Sequence, residues 1–130
     1  MELLIVEDNE RFRDMLRSSL QSSFPLVQVS TAPDAAAALQ MIGRRRPDLV
    51  FVDIRMPGKS GIVLTREIKK QDNGIVIVVL TNMDTKEYRE AAFANGADFF
   101  LSKESVRAKE IHELVEGVIA KCETGREDTD

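Results

Sequence analysis

The chain has 130 residues, the size of one domain, and 43% of them are apolar, enough to fill a core and to argue against disorder. A net charge of −4 and a pI near 5.1 argue against nonspecific nucleic-acid binding, which cationic surface drives. One cysteine and one histidine exclude an internal disulfide and a metal cluster built on those two residue types.

Strand-like and helix-like patterns alternate along the chain. Leu3-Leu4-Ile5-Val6 is a first apolar run. Asn9 is placed to cap a helix whose apolar positions Phe12, Met15, Leu16 and Leu20 follow helical spacing, and Pro25 ends it. Val27 and Val29 alternate with Gln28 and Ser30 as a short strand. Thr31-Ala32-Pro33-Asp34 reads as a capping box with proline in the first turn of an alanine-rich helix running to about Gly43. Arg44-Arg45-Arg46 closes that helix, where cations suit its dipole.

Leu49-Val50-Phe51-Val52 is a buried-strand run that delivers Asp53 to the turn formed by Pro57 and Gly58. Ser60 or Gly61 opens a third helix. Ile75 to Leu80 is uninterruptedly apolar, as in a parallel strand covered on both faces, and Thr81 ends it. Asp84 and Glu87 read as the capping pair of a helix to about Ala94, stopped by Asn95-Gly96. Phe99-Phe100-Leu101 is the last strand. Ile111, Leu114, Val115, Val118 and Ile119 form the apolar stripe of a final helix, on which His112 is expected to face solvent. Residues 1–122 form one domain in this reading, and 123–130 a flexible polar tail. No apolar stretch approaches the roughly 20 residues of a membrane span, and no signal-peptide pattern is present. The expected setting is the cytoplasm, with Cys122 reduced.

Alternating strands and helices predict an α/β fold with parallel strands joined by right-handed crossovers. In such a sheet the carboxyl ends of the strands share one edge, where ligands bind. Glu7 and Asp8 follow the first strand, Asp53 the third, Thr81 the fourth and Lys103 the fifth. Three acids, a hydroxyl and an amine would then share one cleft. Two carboxylates about 4 Å apart repel by roughly 4 kcal/mol at an effective dielectric near 20, which a divalent cation relieves.

Val6-Glu7-Asp8-Asn9, Val52-Asp53-Ile54-Arg55-Met56-Pro57-Gly58, Leu80-Thr81 and Leu101-Ser102-Lys103, in that order and at strand ends, resemble the receiver domain of bacterial two-component response regulators. The resemblance covers about residues 2 to 121. It implies a flavodoxin-like (βα)5 three-layer sandwich with a five-stranded parallel sheet of order 2-1-3-4-5. It implies phosphorylation on Asp53, with the phosphoryl group supplied by a sensor histidine kinase, a phosphotransfer protein or a small acyl phosphate. Asp8, Asp53 and the backbone carbonyl of Arg55 match the family's Mg²⁺ ligands, with Mn²⁺ as a substitute and Glu7 acting through a water. Lys103 and Thr81 would contact phosphoryl oxygens. Thr81 and Phe100 would switch the face made by helix four, strand five and helix five. Arg55 and Met83 occupy positions that tune phosphoryl lifetime.

The resemblance further implies a signalling switch whose only enzymatic activity is its own phosphorylation and dephosphorylation. Its output is a downstream protein or an effector domain, with no direct nucleic-acid or membrane binding by this domain. A phosphorylation-dependent homodimer is a further expectation. The chain departs from the family at Asn82, where a small residue is usual, and at Glu104, where proline is usual, which leaves the Lys103–Glu104 peptide geometry open.

Rival readings are weaker. Gly58-Lys59-Ser60 resembles the end of a phosphate-binding P-loop, but the required earlier glycine is Asp53. An aspartyl-nucleophile phosphatase would carry a second acid where Arg55 stands. A receiver-like interaction module that needs no phosphorylation is the remaining alternative, and the complete acid set argues against it. Tyr88 reads either as part of the output face or as merely packing on it.

Overall fold

The computed structural model describes residues 1–128 of the chain, with side chains through Glu123. Its elements are β1 (Glu2–Val6), α1 (Glu10–Ser23), β2 (Gln28–Ala32), α2 (Ala35–Arg44), β3 (Leu49–Val52), α3 (Gly61–Gln71), β4 (Val76–Thr81), α4 (Lys86–Ala94), β5 (Phe99–Ser102) and α5 (Ala108–Asp128). The strands form one five-stranded sheet of order β2-β1-β3-β4-β5, every pair parallel. Among the described residues no helix is long and apolar enough to cross a membrane.

The period-two geometry of a strand sends successive side chains to opposite faces. Leu4, Val6, Val50, Val52, Ile77 and Val79 pack with Ala35 and Ala38 of α2, Leu64 and Ile68 of α3 and Ala92 of α4. Leu3, Ile5, Leu49, Phe51, Val78 and Leu80 pack with Leu16 and Leu20 of α1 and with Ile111, Val115 and Val118 of α5. Burying a side chain of this size stabilises by about 1.5–3 kcal/mol, and the three layers follow from covering both faces. The chain runs outward from β1 to β2, then crosses back to β3. Strand order reverses between β1 and β3, and a crevice opens beyond their carboxyl ends.

Several local expectations are corrected. Asp34, not Thr31, caps α2, accepting the Ala37 N–H at 2.9 Å; Thr31 and Ala32 belong to β2, and Pro33 precedes the helix. Thr85, not Asp84, caps α4, accepting the Tyr88 N–H at 3.2 Å, while Asp84 takes a guanidinium hydrogen bond from Arg89 at 2.8 Å. Where the preceding strand or loop ends decides which cap-competent residue opens the helix, and sequence does not reveal that. His112 is half-buried: its ring meets the edge of Phe24, and Nε2 lies 3.3 Å from Ser23 Oγ. Helix α5 continues to Asp128, so the segment expected as a tail is helical backbone that far, and residues 129–130 lie outside the described residues. No cis peptide occurs among the described residues.

Candidate phosphoacceptor site

The last sheet hydrogen bonds aim the site residues. Glu7 N–H donates to Ala32 O at 3.0 Å, Asp53 N–H to Val6 O at 3.2 Å and Lys103 N–H to Thr81 O at 2.9 Å. Each of these residues lies one position beyond its strand, with its backbone still tied to the neighbouring strand. The side chains therefore project from a rigid rim into the β1/β3 crevice.

Glu7, Asp53 and Lys103 form a buried ionic cluster. Lys103 Nζ donates to Asp53 Oδ2 at 2.9 Å and also to Glu7 Oε1. Glu7 is 2% exposed and Asp53 8%. Glu7 Oε2 accepts the Asn9 N–H at 3.2 Å, and Arg13 donates to the Glu7 carbonyl at 2.9 Å. Burial pushes the Glu7 carboxyl above its usual range, and the nearby Asp53 charge adds to this; the Lys103 and Asn9 hydrogen bonds offset only part. Burial pulls the Lys103 ammonium down, but its hydrogen bonds and charge attraction to Glu7 and Asp53 together hold it above its usual value.

Asp53 Oδ1 is buried and has no hydrogen-bond partner among the described residues. A buried carboxylate oxygen in that condition calls for a cation. Oxygens of Glu7, Asp8 and Asp53 lie within 4.8 Å of one another, with Asp8 exposed at the mouth. This hard-oxygen set on one rim fits a divalent ion of the Mg²⁺ type.

The other expected residues divide by position. Thr81 is fully buried at the end of β4, and its hydroxyl accepts the Met83 N–H at 3.1 Å, which ties the β4–α4 loop to the site. Arg55 and Met83 line one cleft of about 260 Å³ together with Ile54, Met56, Ser60, Ile62 and Tyr88. Arg55 is exposed and Met83 half-buried there. Asn82 and Glu104 are exposed. Phe100 is buried in the core at 7% exposure, with the Arg89 guanidinium 5.0 Å from its ring centroid. Tyr88 is half-buried and packs against the same core.

Sequence reasoning missed two contributors. Gly61 opens α3 so close to the Asp53 backbone that a Cβ would lie 1.9 Å from the Asp53 carbonyl oxygen. Phe12 was legible only as an apolar helix position, yet the Lys103 ammonium lies 4.3 Å from its ring centroid. The glycine directly after the Ser60 cap was the one available hint for the first. No local pattern signals the second, because its partner is far away in sequence.

Comparison with known proteins agrees with this geometry. The model of the response regulator receiver domain family matches residues 3–116. The response regulator MprA of Mycobacterium leprae (strain TN) is 37% identical over 103 residues, 79% of this chain and 44% of the relative. The chemotaxis protein CheY of Halobacterium salinarum is 35% identical over 102 residues, 78% of this chain and 83% of the relative. Among solved structures, a DNA-binding response regulator of the LuxR family from Staphylococcus aureus superposes with a TM-score of 0.82 at 25% identity, covering 90% of this chain and 97% of that one. The chain belongs to the response regulator receiver domain family. It spans less than half the length of the MprA proteins it matches.

Proposed function

We propose that this receiver is a switch that accepts a phosphoryl group on Asp53. The observation that carries the reading is the state of the Asp53 carboxylate: one oxygen is held by Lys103, and the other is buried without a partner among the described residues. A carboxylate is itself a nucleophile and needs no general base. An Asp53 oxygen attacks phosphorus, and the bond from phosphorus to the donor breaks. The leaving group, acetate from acetyl phosphate or imidazole from a phosphohistidine, departs with the bonding electrons. Return to the resting state is attack by water on phosphorus, releasing inorganic phosphate and the carboxylate.

Asp8, Asp53 and the Arg55 carbonyl, with Glu7 through a water, would hold Mg²⁺ or Mn²⁺, which supplies neutralisation of the acids and polarisation of the transferring group. Lys103 turns from the carboxylates to a phosphoryl oxygen, and the Thr81 hydroxyl donates to another. Thr81 draws the Asn82–Thr85 loop with it through the Met83 bond. Phe100 and the α4–β5–α5 surface then carry the change to a partner. A sensor histidine kinase or phosphotransfer protein is the donor in this reading. The output is a downstream protein or an effector domain, through a homodimer where one forms, and the setting is cytoplasmic.

Intact mass after incubation with acetyl phosphate and Mg²⁺ tests this. One phosphoryl adduct is expected, absent from Asp53→Asn and absent when Mg²⁺ is chelated. No adduct from any donor would overturn the reading in favour of a phosphorylation-independent module.

Arg55 stands two residues beyond Asp53 and Met83 two beyond Thr81, both line one cleft, and we assign them the role of slowing the attacking water. Replacing both with small residues is expected to shorten the adduct's lifetime severalfold once donor is removed. Unchanged decay of the adduct mass would count against that role.

A further inference from the structure

On the α1 side of the cleft, Phe12 lies beside Lys103. An aromatic ring presents negative density on its face and attracts a cation within about 6 Å of its centroid, and the Lys103 ammonium lies at 4.3 Å. The ring is anchored by the bonds that set the carboxylates. Phe12 N–H donates to Asn9 Oδ1 at 2.9 Å, and Asn9 N–H donates to Glu7 Oε2. Arg13, the next residue, donates to the Glu7 carbonyl. Lys103 therefore has three fixed neighbours, namely two carboxylates and one ring face.

The ring differs from the carboxylates in kind. A lysine carries a flexible four-carbon stem, and its ammonium is strongly hydrated. The carboxylates hold it by charge, and that hold must loosen when the ammonium turns to a phosphoryl oxygen. A ring face keeps an attraction for the ammonium without competing as a hydrogen-bond acceptor. Phe12 also borders a groove of about 220 Å³ between α1 and α5, lined by Leu16, Val106 and Ile111 among others, that reaches Lys103. A smaller side chain there would open the ammonium to water.

We infer that Phe12 is a positioning residue for phosphoryl transfer, its ring face orienting the Lys103 ammonium beside Asp53 and keeping it partly dehydrated. The inference rests on the reading of Asp53 as phosphoacceptor. It assigns to α1 a part in the chemistry that none of the acid, hydroxyl or amine motifs describes.

The test compares wild type with Phe12→Leu, which keeps apolar bulk without the ring, and with Phe12→Tyr, which restores the ring. The first readout is the rate of adduct growth with acetyl phosphate and Mg²⁺. Phe12→Leu is expected to be slower by about fivefold, and Phe12→Tyr to return most of that rate, since only a ring face attracts the ammonium. The second readout needs no phosphoryl donor. The Lys103 Hε protons are expected to carry an upfield ring-current shift in wild type and Phe12→Tyr that Phe12→Leu lacks. Wild-type rate in Phe12→Leu would overturn the inference, as would slow transfer that Phe12→Tyr fails to restore, which would mark a packing role only. Absence of the ring-current shift in wild type would overturn it as well. No adduct on wild type would overturn the phosphoacceptor reading, and the inference with it.

Discussion

Gly61→Ala is expected to destabilise the protein by about 3 kcal/mol and to impair phosphoryl acceptance at the same time. The added Cβ would lie 1.9 Å from the Asp53 carbonyl oxygen and 2.7 Å from the carbonyl carbon. Those are backbone atoms, so no rotamer change relieves the overlap. Overpacking costs about 1–3 kcal/mol when neighbours can shift, and here two rigid pieces must part. The pieces are already tied: Gly61 N–H donates to Ile54 O at 2.9 Å, and the Thr65 hydroxyl donates to Gly61 O at 2.7 Å. Asp53 moves with its own carbonyl, so its carboxylate leaves Lys103. Urea unfolding at unchanged m would give the stability loss, and adduct growth with acetyl phosphate the functional one. Wild-type stability would show that α3 can withdraw from the loop without cost.

Lys103→Ala is expected to cost about 3 kcal/mol in metal-free protein, because removing one partner of a buried ionic cluster leaves the others uncompensated. Lys103 is the counter-ion for two buried acids, Glu7 and Asp53. Excess Mg²⁺ is expected to restore much of the loss, since a divalent cation supplies the missing charge, and to bind more tightly than in wild type. The deficit should narrow as pH falls. A carboxyl held above its usual range, as burial holds Glu7, favours the folded state below its unfolded value of 4.5 and loses that advantage as pH rises through its folded value. Thermal unfolding in chelator and in Mg²⁺, across pH, would check all three. A variant as stable as wild type in chelator would show that the lysine does not balance these acids.

Much of this architecture was legible in the chain because the relevant signals are local. Uninterrupted apolar runs such as Leu49–Val52 mark strands covered on both faces, and the acids, hydroxyl and lysine stand directly after those runs. A parallel sheet then brings them together without further information. The helix cap Asn9 was readable for the same reason, and of the two starts open for α3, Ser60 or Gly61, Ser60 is the cap and Gly61 the first helical residue. What escaped depends on contacts across space. Nothing near Gly61 says that a neighbouring carbonyl excludes a Cβ, and nothing near Phe12 says that Lys103 arrives over it. His112, set among charged residues, reads as a solvent position, and only the packing of α5 against the end of α1 places its ring on Phe24. At Asp84-Thr85 both residues can cap a helix; Thr85 does so, while Asp84 pairs with Arg89.

The sheet has a second rim, remote from Asp53. At the amino ends of the strands, Glu2 N–H donates to Asp48 Oδ2 at 2.9 Å, Arg46 pairs with both Asp48 and Asp72, and Asp72 Oδ1 takes the Gly74 N–H at 3.0 Å. These ties join the starts of β1, β3 and β4 and take no part in the cleft. Selection can therefore act on the two rims separately. Changes at the lower rim alter how many folded copies a cell maintains, and modest losses of stability shift abundance severalfold. Changes at the upper rim alter what each copy transmits. A mutational scan that scores total output merges the two, whereas one normalised to protein level would return a map in which the Asp53 rim stands out and the opposite rim does not.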